Sequence, residues 1–74
     1  MDPHGTVVVI VELIVSGAQK AYSIGKDFGN SGLISNAWYQ QNKDLIRSTV
    51  LLRSGPNGLG YLKLFEMGLY SSLK

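Results

Sequence analysis

The sequence predicts a small α+β domain with an N-terminal β-hairpin, a central amphipathic helix, and a C-terminal helix or second hairpin. Two local patterns suggest the hairpin and one suggests the helix. Residues 6–15 (TVVVIVELIV) hold five valines and two isoleucines. Such β-branched side chains are stiff at χ1 and suit a pleated sheet. Residues 20–28 (KAYSIGKDF) alternate, with Tyr22, Ile24 and Lys26 on one side and Ala21, Ser23 and Gly25 on the other. That period of two fits a second strand, paired to the first across a turn at residues 16–19. Beyond Ser35 the apolar residues fall near helical spacing.

The first strand has Thr6 and Glu12 on one face and Val7, Val9 and Val11 on the other. Both faces are largely apolar, as for a strand covered on two sides or lying in an interface. A buried helix is the alternative, because periodicity cannot separate the two in a short apolar run. Gly25 would weaken the second strand or mark a bulge.

Gly29-Asn30-Ser31-Gly32 reads as a loop, and Ser35 or Asn36 as the cap of a helix that ends by Arg53. Ile34, Trp38, Leu45, Thr49 and Leu52 would form its apolar stripe. The predicted core residue is Trp38, whereas Tyr39, some 100° further round, is predicted to face the surface. Ser54-Gly55-Pro56-Asn57-Gly58 is the clearest break. As a helix, residues 59–74 place Leu62, Phe65, Leu69 and Leu73 on one face; as a strand they would pair back across the break. Leu, Met, Glu and Lys favour the helix. The competing architecture is all-α, with three helices beginning near Thr6, Ser35 and Leu59.

The chain has 74 residues, one histidine and no cysteine. One domain over residues 6–74 is expected, after an irregular lead-in at residues 1–5 punctuated by Pro3 and Gly5. A fold of this size buries only about 60% of its unfolded surface and commonly needs a staple. Disulfides and thiolate metal sites are excluded, and no cofactor is indicated. Hydrophobic residues make up 45% and charged residues 16%, against roughly 25% charged in ordinary domains. Apolar surface should therefore remain exposed, which points to a contact with protein or membrane.

Catalytic groups are scarce. His4 stands in the lead-in, where no preorganised site can be built on it. Glu12 interrupts an apolar run; it is either a buried proton carrier or, as expected for most glutamates, a residue that faces water at an edge or pairs with a lysine. Gly25-Lys26 fails as a phosphate loop, since Lys20 stands where a glycine belongs and Asp27 where Ser or Thr does. Residues 58–64 offer only Tyr61 for stacking on a base.

The sequence thus points to a non-enzymatic assembly subunit or protein-interaction module, with a homo-oligomer or larger assembly as its partner. Val7, Val9, Val11, Trp38, Tyr39, Phe65, Leu69 and Tyr70 are the candidate interface residues. A membrane-active or peripheral membrane protein is the first alternative: residues 59–74 would lie in the headgroup region through Tyr61, Phe65 and Tyr70. A weakly basic nucleic-acid binder, net charge +2, is the less favoured second. Residues 7–15 are too short to span a bilayer as a helix.

Overall fold

The computed structural model describes residues 3–73. It is all-helical: α1 (Pro3–Ser16), a single 3₁₀ turn (Ala18–Lys20), α2 (Ala21–Ser31), α3 (Asn36–Ser54) and α4 (Pro56–Ser72). There is no strand among the described residues. The α+β prediction with its N-terminal hairpin is therefore wrong. The all-α alternative had the right class but one helix too few.

Helix α1 begins at Pro3, inside the expected lead-in; the structure describes the backbone of His4 and not its side chain. Proline fits a first helical turn, where its missing N–H would have had no partner. Val7, Ile10, Val11 and Ile14 are buried. Their i, i+3, i+4, i+7 spacing is the helical pattern, hidden in the sequence because Val8, Val9 and Leu13 are apolar too. Burial of that face outweighs the small helix penalty of β-branched residues.

The chain turns by 105° between Gly5–Ser16 and Ala18–Ser31. The second predicted strand is helix α2, which buries Ala21, Gly25, Phe28 and Gly29. It ends at Gly32, whose φ of 73° is left-handed. The cap at Ser35 holds: its Oγ accepts from the Trp38 amide at 3.0 Å. Yet α3 is rotated by one residue from the predicted stripe. Tyr39, Ile46 and Val50 are buried, whereas Leu45 and Leu52 are exposed and Trp38 is half-buried. Tyr39, predicted for the surface or an interface, is thus core, and Trp38, predicted for the core, is half-buried against it.

Helices α3 and α4 form an antiparallel hairpin about Gly55, with φ 67° and ψ −162°, backbone angles open essentially only to glycine. Pro56 follows at the first turn of α4, so the predicted break is one tight corner. Here the predicted face of α4 is correct: Leu62, Phe65 and Leu69 are buried, and Leu73 packs against them.

The closest contact joins α2 and α4, which run side by side in the same direction. A Cβ on Gly25 would overlap the Phe65 carbonyl and sit 2.8 Å from the Leu69 nitrogen. One on Gly29 would lie 2.9 Å from the Leu69 oxygen, and one on Gly68 would overlap the Tyr22 carbonyl. Apart from Ser72, whose side chain lies nearest the Gly29 position, the two backbones touch without side chains between them. Around this seam, Phe65 packs edge-on to Phe28 at 5.9 Å and tilted to Tyr39 at 6.1 Å between ring centroids.

Candidate interaction surfaces

Exposed apolar side chains remain on α1 and α4, at Leu45, Leu51 and Leu52 on α3, and at Tyr22 and Leu33. The first face is the outer side of α1. Val8, Val9 and Leu13 are exposed there although the opposite side is buried. Glu12 lies among them and accepts a hydrogen bond from Arg53 at the C-terminal end of α3. Glu12 is solvent-facing, and its partner is Arg53 where a lysine was expected. The Arg53 hydrogen bond and charge keep the Glu12 carboxyl below its ordinary value. Both side chains are exposed, so the pair adds little stability; its effect is to leave the α1 face without net charge.

The second face is the outer side of α4. Tyr61, Leu64, Met67 and Tyr70 are exposed at a spacing of three and cross it as one diagonal stripe. At one end, Tyr61 lines a shallow groove with residues of the 3₁₀ turn, including Lys20. At the other, Tyr70 lines a groove of about 250 Å³ with Lys43, Asp44, Arg47 and Glu66. Lys63 stands beside Arg47 in the adjoining depression. On the other side of α4, exposed Lys26 stands on α2 where the backbone of that helix lies against Gly68. Five cations thus fringe the stripe. None forms an ion pair, since Arg53–Glu12 is the only one among the described residues.

The groove is braced from beneath. Tyr39, fully buried, donates its hydroxyl proton to Glu66 Oε2 at 2.7 Å. Gln40 Nε2 donates to the Tyr70 hydroxyl at 2.9 Å. Burial first, and then the Glu66 hydrogen bond and charge, push the Tyr39 phenol above its ordinary 10.0. The sign follows: a group whose folded value is raised contributes stability that is fully present below the unfolded value and is lost as pH rises through the folded value. The fold should therefore weaken above about pH 10, and Tyr39→Phe should flatten that decline. Urea midpoints measured from pH 8 to 11 check this; an unchanged alkaline slope in the variant would rule out the Tyr39 contribution.

No cluster of three His, Asp or Glu able to hold a metal occurs among the described residues. Of the predicted interface residues, Val7, Val11, Tyr39, Phe65 and Leu69 are core, and Trp38 is half-buried against it. Val9 and Tyr70 alone are exposed, on different faces. A strand would have put Val7, Val9 and Val11 together; the helix separates Val9 from the other two by more than 150°. Leu64 and Met67 were missed, although their spacing with Tyr61 and Tyr70 was visible in the sequence.

No protein-family model matches the chain, and no curated protein or solved structure matches it either. Among the described residues no single helix is long and apolar enough to cross a membrane.

Proposed function

We propose that this chain is a small, non-enzymatic assembly module that pairs with a second copy of itself through the outer face of α1. The supporting observation is the asymmetry of that helix. It is apolar around nearly its whole circumference, yet only one side is covered by α3, α4 and α2. A helix apolar all round is normally buried all round. In a twofold contact the same patch meets itself, so any net charge on it would be repelled. The Glu12–Arg53 pair removes that obstacle. A standard interface takes about 800 Å² from each partner, a modest part of the 4577 Å² surface.

Light scattering behind a sizing column should give twice the 8.1 kDa chain mass. Val9 is 51% exposed, so Val9→Lys should leave the helical circular dichroism intact while weakening association at least about tenfold, through burial of an unpaired charge. A monomeric wild-type chain, or a Val9→Lys variant that associates as well as wild type, would sink the proposal.

A further inference from the structure

We infer that the outer face of α4 rests on an anionic lipid surface. Its chemistry differs from that of the α1 face. Leu64 and Met67, at 40% and 53% exposure, form an aliphatic centre with Tyr61 and Tyr70 at its two ends. Tyrosine suits the headgroup level, where its ring is shielded and its hydroxyl is wet. The fringe is Lys20, Lys26, Lys43, Arg47 and Lys63, five of the six described cations, opposed by Asp44 and Glu66. Glu66 is half-buried and already engaged by Tyr39. An apolar strip between unpaired cations is complementary to a bilayer with anionic headgroups: the aliphatic tips enter the acyl boundary and the ammonium and guanidinium groups meet phosphates.

The same charges argue against other occupants. A second copy docked through this face would bring ten cations together. A nucleic-acid strand would lay its phosphates along the cations but leave Leu64 and Met67 against a charged backbone, where stacking rings are needed. The short α4 lies on the surface and does not cross it, in keeping with its length of 17 residues.

The test is co-sedimentation of the full chain with vesicles of phosphatidylcholine alone and of phosphatidylcholine mixed with phosphatidylglycerol. Binding is expected to the mixed vesicles and to weaken with salt. Lys63→Gln should reduce it about fivefold and the Lys43→Gln, Arg47→Gln double variant by more than about twentyfold, from roughly 1 kcal/mol per cation near the surface. Met67→Glu should abolish it. All of these positions are exposed, and circular dichroism confirms that each variant folds. Val9→Lys should bind like wild type, which separates this inference from the pairing through α1. Equal binding to neutral vesicles, no binding to either, wild-type binding by Met67→Glu, or cation-dependent binding of single-stranded DNA without lipid binding would each overturn it.

Discussion

Gly68→Ala is expected to cost about 3 kcal/mol, even though alanine is the better helix former. In an open helix the exchange would gain up to about 1 kcal/mol. Here the new methyl would overlap the Tyr22 carbonyl and come within 3.0 Å of the Lys26 nitrogen. Those are backbone atoms, which cannot swing aside as a side chain tip can. Helices α2 and α4 must then separate, at the upper end of the usual 1–3 kcal/mol for overpacking. A fold of this length has only about 4–11 kcal/mol to lose, so the thermal midpoint should fall by at least about 10 °C. Gly60→Ala is the control: nothing lies within 4 Å of its Cβ position, and that variant should be as stable as wild type or more so. Urea denaturation of both decides. A Gly68→Ala variant as stable as Gly60→Ala would disprove the close seam.

Phe65→Ala should be the most damaging truncation. The ring is fully buried and lies between Phe28 on α2 and Tyr39 on α3, so it joins three helices at one point. Removing a buried phenylalanine costs about 3–5 kcal/mol. The loss is the transfer energy of the ring plus the cavity it leaves. Collapse into that cavity is restricted, because the Phe65 carbonyl is pinned against Gly25. The variant should retain helical far-ultraviolet dichroism while losing near-ultraviolet aromatic signal, or unfold outright in moderate urea. A loss under about 1 kcal/mol would mean that the ring is not at the centre of the core.

How much of this was written locally in the sequence differs from helix to helix. The start of α3 was legible because Ser35 signals its role through its own side chain. Its phase was not: Leu45 and Leu52 look like core beside Ile46 and Val50, and only the positions of α1 and α4 determine which pair is covered. The buried face of α4 was legible because Leu62, Phe65 and Leu69 have few apolar rivals on that side. Helix α1 failed because valine propensity reports a local preference, whereas the helix is held by burial of Val7, Ile10, Val11 and Ile14. Helix α2 failed for a sharper reason. Its glycines read as strand breakers or loop formers, yet Gly25 and Gly29 are four apart, as are Gly68 and Ser72. That spacing puts small residues on one side of each helix and permits backbone contact. Of the interaction surfaces, the Glu12 alternative and Tyr70 were within reach. The cation fringe was not, since Lys20, Lys26, Lys43, Arg47 and Lys63 come from four different elements.

The glycine seam also limits which arrangements of the chain can compete with the native one. A contact without side chains offers little attraction until the two backbones are aligned, so it does little to draw α2 and α4 together. It acts instead as a vernier. If α4 slid one turn along α2, Leu64 or Ser72 would take the place of Gly68, and the crossing would no longer close. If α2 slid, Ala21 could stand where Gly25 does. The oily side chains around the seam would tolerate many alignments, as aliphatic groups of similar volume do. Three absent methyl groups narrow those alignments and favour a single folded answer for a very short, very apolar chain.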